Sequence, residues 1–140
     1  MSRLVYVCAP YGAPTHEERE VNVARALGVA QVLAREGWCP VCLHPAIHAG
    51  VYGDDSDPAQ REAGLRVAVR TVEEVVRGQG LVAVLLRDDA EMSPGTAMEW
   101  LAARRVAATW TGRQAWDPDR PLLLSGTWET WQRRGATDAR

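Results

Sequence analysis

Short apolar runs alternate with segments of helical periodicity along this chain, and that order restricts the fold more than any other feature. The apolar runs span residues 4–8, 38–43 and 81–86, and the helical segments span residues 17–36, 58–77 and 97–107. A strand–helix–strand order with helical crossovers implies parallel strands with helices on both faces of the sheet. The runs are apolar at consecutive positions, as in strands that are buried on both sides. We therefore predict a single α/β domain with a doubly wound parallel sheet of about four or five strands.

Capping signals and periodicity set the predicted limits of the helices. Asp57 followed by Pro58 is a cap with a proline at the first helical position, and residues 78–80 end the same helix. In the first helix the predicted buried face consists of Val23, Leu27, Ala30 and Ala34. Residues 44–56 are rich in His, Pro, Gly and Asp, and we expect them to form a long loop.

The pattern weakens after Ala108. Residues 109–111 are predicted to form a short strand, residues 116–121 a turn, and residues 122–124 a further strand, with Ser125 as the cap of a terminal helix. Trp128 and Trp131 would share one face of that helix, where they either close the core or form a subunit contact. We expect the domain to span residues 1–134, with a frayed tail at residues 135–140.

The charge balance excludes several classes of protein. The chain has 140 residues, a formal net charge of -2 and no lysine. This balance argues against binding to a nucleic-acid polymer, and the missing lysine excludes both Schiff-base chemistry on lysine and a P-loop that depends on its lysine. No apolar run approaches the roughly 20 residues of a membrane span. Because residues 1–4 lead directly into a predicted strand, we expect no signal peptide. We therefore expect a cytoplasmic protein that does not interact with membranes.

The cysteines allow a metal-binding or redox hypothesis beside a structural one. Cys39 and Cys42 form a C-x-x-C pair, and His44 and His48 follow it. If this pair lies on a strand, side chains three positions apart point to opposite faces and the two thiols do not converge. Structural zinc sites need four well-placed protein ligands, and no second C-x-x-C follows. We expect no metal and no cofactor, and we keep a metal-binding protein as an alternative.

Residues 93–99 carry the strongest functional signal. Pro94 and Gly95 open a helix soon after an apolar strand, and the free N–H groups of such a helix start attract anions. Glu99 follows one turn later, near the carboxyl end of a strand, where open α/β sheets bind their ligands. An anion site beside a carboxylate suits a substrate that carries both a phosphate and a carbon to be attacked.

The loops that follow the first three strands bring further polar residues to the same edge of the sheet. These residues are Tyr11, Gly12, His44, His48, Tyr52, Asp54, Asp55, Asp57, Asp88 and Asp89. Each candidate also has an ordinary structural interpretation. Glu99 is then a solvated helix residue, Ser93 an N-cap, and Tyr6 a core residue with a locally satisfied hydroxyl.

Several segments resemble the nucleoside 2-deoxyribosyltransferase-like superfamily. They are residues 5–11, Asn22 with Ala26, residues 37–41, and residues 93–99, which are similar to the signature (Asp/Ser)-x-Gly-x-x-x-Glu. Residues 4–107 also resemble its small, uncharacterised and often phage-associated branch, whose Asp-Pro-x-x-Arg-Glu motif corresponds here to residues 57–62. The resemblance implies a flavodoxin/Rossmann-like fold that assembles as a homodimer or a larger homo-oligomer.

The resemblance also implies a chemistry, namely cleavage or transfer at the N-glycosidic bond of a (deoxy)nucleoside or its 5′-monophosphate. Glu99 would be the nucleophile that forms a covalent glycosyl-enzyme, and Tyr6 would position it. Ser93 matches the nucleotide-hydrolase branch, in which a serine at this place helps to bind the 5′-phosphate. The candidate substrate-binding residues are Pro10, Tyr11, Gly12, His44, Asp57, Asp88, Asp89, Ser93, Gly95 and Thr96, and Arg61 or Arg19 would add positive charge.

Two positions depart from the superfamily pattern. Gly80 stands where the superfamily usually carries an aspartate at the start of the third strand, and Ala9 stands where many relatives carry glycine. A non-catalytic nucleotide-binding module, such as a sensor or a phage accessory protein, is therefore the alternative to an enzyme.

Overall fold

One parallel sheet organises the computed structural model, which describes residues 3–54, 56–110 and 120–138. In this part of the chain the sheet has four strands in the order β2-β1-β3-β4. The strands are β1 (Leu4–Cys8), β2 (Cys39–Val41), β3 (Leu81–Leu85) and β4 (Leu122–Gly126). The helices are α1 (His16–Arg35), α2 (His44–His48), α3 (Pro58–Arg77), α4 (Pro94–Ala107) and α5 (Trp128–Asp138).

Each face of the sheet has its own hydrophobic core. Alternate residues of β1 serve the two cores, because successive side chains on a strand point to opposite faces. Tyr6 and Cys8 are buried beneath α3 and α4, whereas Val5 and Val7 are buried beneath α1 and α5. Helices thus cover both faces of an all-parallel sheet, which confirms the predicted single-domain, doubly wound α/β fold of the flavodoxin/Rossmann type.

The second strand and the segment after it differ from the prediction. β2 contains three residues, and it pairs only with β1 at the edge of the sheet, where Pro40 offers no N–H to a ladder. The predicted loop at residues 44–56 is wrong at its start, because residues 44–48 form α2 with a proline in its first turn.

The first helix is placed correctly but rotated from the predicted face. Its buried residues include Val23, Ala26, Val29 and Leu33, whereas Leu27 is 39% exposed. The helix therefore packs through a stripe of small and β-branched residues beside the predicted one.

The C-terminal predictions need three corrections. Thr109 and Trp110 form a turn that closes α4, with N–H groups bonded to the carbonyls of Val106 and Ala107, and they do not form a strand. Ser125 does not cap α5, because it lies within β4 opposite Val84. The predicted frayed tail is helical as far as the described residues reach, since α5 extends to Asp138. Position 111 of the predicted strand and positions 116–119 of the predicted turn lie outside the described residues.

The two C-terminal tryptophans belong to the core. Trp131 is fully buried against the face that α1 covers, and its indole N–H donates to the carbonyl oxygen of Val84 at 3.2 Å. Trp128 is partly buried and packs against the same cluster. Of the two predicted roles, closure of the core is the one observed.

Candidate functional site

A cavity of about 540 Å³ lies at the carboxyl edge of the sheet. The loop after β1, helix α2, and the starts of α3 and α4 form its walls. This is the edge at which doubly wound sheets bind ligands, because the strand-to-helix loops meet there. Seven of the predicted site residues line it, namely Tyr6, Tyr11, Gly12, His44, Ser93, Gly95 and Glu99.

Glu99 is the buried acid of the cavity. Ser93 caps α4 by accepting the Thr96 N–H at 3.2 Å, and Pro94 occupies the first turn. Glu99 lies just after this helix start and is only 6% exposed. Its Oε2 is buried with no hydrogen-bond partner among the described residues. A buried carboxylate oxygen without a partner is costly in a folded protein, and it is therefore a mark of a site that binds a ligand or a proton.

Burial raises the pKa of Glu99 to about 7. Removal from water disfavours the carboxylate, and hydrogen bonds from Tyr6 and Cys8 oppose this effect only in part. The acid is therefore close to half ionised near neutral pH, which suits a group that must both carry and lose charge during a reaction.

Tyr6 and Cys8 keep their protons beside this acid. Burial, and secondarily the charge of Glu99, raises the pKa of both groups well above its usual value. Tyr6 is only 1% exposed but still reaches the cavity, where its hydroxyl acts on Glu99 and lowers the pKa of that acid. The core interpretation of Tyr6 and the positioning interpretation are thus both consistent with its place.

His44 ties α2 to the loop after β1. Its Nε2–H donates to the carbonyl oxygen of Ala9 at 2.8 Å, and its Nδ1 lies 3.8 Å from the Cys42 thiol. Burial lowers the pKa of His44, so the ring is neutral at physiological pH. Its observed role is to fix one wall of the cavity.

Tyr11 lies on the same wall, and both its hydroxyl and its backbone carbonyl oxygen make polar contacts. Its hydroxyl lies 3.0 Å from Nδ1 of His48, and its carbonyl oxygen accepts the Asn22 side-chain N–H at 2.9 Å. Its ring meets the rings of His44 and His48 edge-on. The predicted first-helix residue Asn22 therefore acts on the site through the backbone of Tyr11.

The start of α4 offers fewer free amides than predicted. Pro94 has no N–H, and the Ser93 hydroxyl occupies that of Thr96, which leaves the Gly95 N–H available to a ligand. A Cβ at Gly95 would have no neighbour within 4 Å, so the space beside this residue is open. Arg61 of α3 lies on the wall of the same cavity, and its guanidinium forms no ion pair among the described residues.

Five predicted residues do not line the cavity. Asp57 caps α3 by accepting the Ala59 N–H, Asp88 pairs with Arg25 on the surface, and Arg87 binds Asp89. Thr96 is buried behind Ser93, whose hydroxyl donates to it at 2.9 Å. Pro10 lies in the loop between two lining residues.

The cavity also has an apolar wall that the sequence patterns did not reveal. It is formed by Ile47, Pro58, Gly64, Leu65, Ala68 and Met98, with Glu62 beside them. The amphipathic pattern of α3 was the available signal, but it does not distinguish a side chain that covers the sheet from one that borders a cavity.

Gly80 is far from this site. It precedes β3 at the amino end of the sheet, where a Cβ would lie 2.9 Å from the carbonyl oxygen of Leu4 and 2.6 Å from Cγ1 of Val75. An aspartate does not fit at this position, and its side chain would stand at the opposite end of the sheet from Glu99. The departure at Gly80 therefore removes nothing from the cavity.

The cysteines and histidines do not form the metal set considered from the sequence. Cys39 is exposed on β2, and Cys42 contacts His44, which is committed to Ala9. Within residues 3–54, 56–110 and 120–138, the His, Cys, Asp and Glu groups close enough to share a metal ion are His16, Glu20 and His48.

Comparisons place most of the chain in a single family. The family model described as Domain of unknown function (DUF7768) matches residues 3–111, from the start of β1 to just beyond α4. No curated protein and no solved structure matches the chain. Among the helices of the described residues, none is long and apolar enough to cross a membrane.

Proposed function

For this chain, which belongs to the DUF7768 family, we propose an N-glycosidase activity that cleaves or transfers at the N-glycosidic bond of a nucleoside 5′-monophosphate or nucleoside. The observation that carries the proposal is the buried Glu99, whose unpartnered oxygen lies at a cavity of a size suited to such a ligand. The resemblance of residues 93–99 to the nucleoside 2-deoxyribosyltransferase-like signature supports the same chemistry.

Glu99 is the proposed nucleophile. Its carboxylate oxygen bonds to the anomeric carbon while the bond from that carbon to the base nitrogen breaks, and the base leaves with the electron pair and takes up a proton from water. Water or a second base then attacks the same carbon, releases the sugar and restores the carboxylate. Positive charge that develops on the sugar favours the ionised form of Glu99, so the substrate itself offsets the desolvation that raises the pKa.

Tyr6 is the proposed positioning residue. Its neutral hydroxyl donates to Glu99 and stabilises the carboxylate, which lowers the pKa of the acid toward the working range. The hydrogen bond also fixes the direction from which the carboxylate approaches the sugar, since the phenol itself is immobilised in the core.

The proposed phosphate site lies between α3 and α4. The Gly95 N–H and the guanidinium of Arg61, which forms no ion pair with a described residue, supply one backbone donor and one cation on the cavity wall. This pair favours a nucleoside monophosphate over a free nucleoside. The apolar wall around Ile47, Leu65 and Met98 provides a surface for the base.

Cellular context and assembly are part of the proposal. The three cysteines Cys8, Cys39 and Cys42 are free, which supports a reducing compartment such as the cytoplasm. Homodimer formation is proposed with support from Met98 and Leu101, which expose 52% and 49% of their surfaces on α4. Analytical ultracentrifugation of the purified protein tests this assembly.

A panel of nucleoside monophosphates tests the activity. We expect release of free base, measured chromatographically, and loss of at least about a hundredfold in rate in Glu99→Gln. Glu91→Gln is the matched control, because Glu91 is an exposed carboxylate outside the cavity. Base release that is undiminished in Glu99→Gln would refute the proposed nucleophile. Ligands that raise the melting temperature but are recovered intact would instead support a non-catalytic nucleotide-binding module.

A further inference from the structure

A cluster of three side chains stands on the surface beside the cavity, and the proposed glycosidase chemistry does not use it. His16 is the first residue of α1, Glu20 lies one turn further along the same helix, and His48 is the last residue of α2. Their ligand atoms all lie within 4.8 Å of one another. None of the three residues lines the cavity.

Two distances within the cluster bracket the ligand spacing of a tetrahedral metal site. Nε2 of His16 lies 2.9 Å from Oε1 of Glu20, and Nε2 of His48 lies 3.9 Å from the same oxygen. Zinc bonds to histidine nitrogen and carboxylate oxygen of about 2.0–2.2 Å place neighbouring ligand atoms roughly 3.3 Å apart in a tetrahedron. The two observed separations lie on either side of that value. Small side-chain rotations would therefore bring the two nitrogens and the carboxylate oxygen within bonding distance of one ion.

The histidine ring that joins the two helices is already oriented. The Tyr11 hydroxyl lies 3.0 Å from Nδ1 of His48, which leaves Nε2 directed at Glu20. Metal-binding histidines commonly have their second nitrogen bound in this way, because the contact fixes both the tautomer and the ring orientation. The His16 and His48 rings also stack at 4.9 Å with an interplanar angle of 22°.

We propose that His16, Glu20 and His48 bind a divalent transition-metal ion, with zinc the best fit, and that the ion joins α1 to α2. Two imidazole nitrogens and one carboxylate oxygen are a donor set that zinc takes with a fourth position left to water. The cysteines have no part in the site, so it differs from the set weighed from the sequence. Through Tyr11, the bound ion stiffens the wall of the cavity.

Zinc titration of the chelator-treated protein tests the site. Calorimetry is expected to show one high-affinity ion per chain. His16→Ala and Glu20→Gln are each expected to weaken zinc binding by at least about tenfold. Glu18→Gln is the matched control, because Glu18 lies on the same turn of α1 and outside the cluster. Far-ultraviolet circular dichroism confirms that each variant is folded.

Cobalt loading distinguishes this site from a cysteine site. We expect the visible bands of tetrahedral Co²⁺ without the thiolate charge-transfer band, and we expect Cys39→Ser to bind cobalt and zinc as the wild type does. Absence of zinc binding, unchanged affinity in Glu20→Gln, or loss of binding in Cys39→Ser would each overturn the proposal. These measurements need no enzymatic activity. A negative result would therefore contradict the metal site without contradicting the proposed glycosidase function.

Discussion

Glu99 is buried at a cost in stability that its proposed chemical role would explain. The helix that carries it would be more stable with a neutral side chain at this position, because the carboxylate is removed from water and one oxygen has no partner. Such local cost is common at sites where a charged group must react. The loss of stability caused by ionised Glu99 depends on pH, so unfolding experiments can measure it without a substrate.

Glu99→Gln is expected to stabilise the protein at alkaline pH and not at acidic pH. The pKa of Glu99 rises from 4.5 to about 7 on folding, so the folded state binds the proton more tightly than the unfolded state. Stability from this group is therefore fully present below pH 4.5 and is lost as pH rises through 7, to a total of about 3 kcal/mol. Glutamine does not ionise and avoids this loss.

Urea unfolding at pH 5 and pH 8 measures the difference. The gain of Glu99→Gln over the wild type should be small at pH 5 and approach its full value at pH 8, whereas Glu91→Gln should follow the wild type at both values. An equal effect at the two pH values would contradict the buried, proton-binding state of Glu99.

Tyr6→Phe is expected to move the pH profile of the proposed reaction. The Tyr6 hydroxyl lowers the pKa of Glu99, so its removal raises that pKa and shifts the rising limb of kcat/KM to higher pH. The wild-type limb should have its midpoint at about 7. A lower rate with an unmoved midpoint would assign Tyr6 to packing alone.

At the scale of elements, α3 and α4 together form the proposed phosphate site. Arg61→Gln is expected to lower kcat/KM for a nucleoside monophosphate by roughly tenfold to a hundredfold, the usual value of a hydrogen bond to a charged group. The free nucleoside should be affected little. Arg70→Gln serves as the control, because Arg70 lies on the same helix but outside the cavity. Equal losses on both substrates would remove Arg61 from phosphate recognition.

Gly80, in the connection from α3 to β3, has no room for a side chain. Gly80→Ala is expected to destabilise the protein by about 1–3 kcal/mol, because the new Cβ would meet the backbone oxygens of Val75 and Leu4 at less than 3 Å. Gly64→Ala is the matched variant, and it is expected to stabilise the protein. Its Cβ would meet nothing closer than 3.8 Å, and alanine favours the interior of α3 by up to about 1 kcal/mol. Equilibrium unfolding in urea measures both, and a Gly80→Ala protein as stable as the wild type would contradict the crowding.

The elements were easier to predict than their faces and neighbours. Periodicity and caps located β1 and α3, because local chemistry such as the Asp57 cap determines where a helix begins. The helix predicted at residues 97–107 begins earlier in the structure, because Ser93 caps α4 and Pro94 is its first residue. The rotation of α1 was not predictable in the same way, since Leu27 is more apolar than Ala26 and yet is exposed. Packing against the sheet and α5 favours the small residue at the contact, and no local pattern contains that information.

The site was predictable where it depends on local sequence and not where it depends on tertiary contacts. The capped helix start and Glu99 follow from one short segment, and both lie at the cavity. The burial of Glu99 and the contact of His48 with His16 and Glu20 arise from elements far apart in the chain. Asp88 and Asp89 were chosen for their position at the sheet edge, but nearby arginines bind them on the surface.

At the scale of the whole molecule, two cores share one sheet, and the C-terminal segment completes one of them. Trp131→Ala is expected to cost about 3–5 kcal/mol, because it empties a fully buried site and leaves the Val84 carbonyl oxygen without the indole donor. Trp128→Ala should cost less, since that side chain is only partly buried. Thermal and urea unfolding measure the two variants, and equal losses would contradict the central place of Trp131.

Trp131 lies outside the part of the chain that matches the family model. The matched region ends at residue 111, so β4 and α5 lie beyond the part that defines the family. The face of β1 and β3 that Trp131 covers is nevertheless inside that part, and it is apolar. The part of this chain that matches the family model therefore does not bury its own sheet. A fragment that ends at residue 111 is expected to associate or aggregate through the apolar face that Trp131 covers in the full chain.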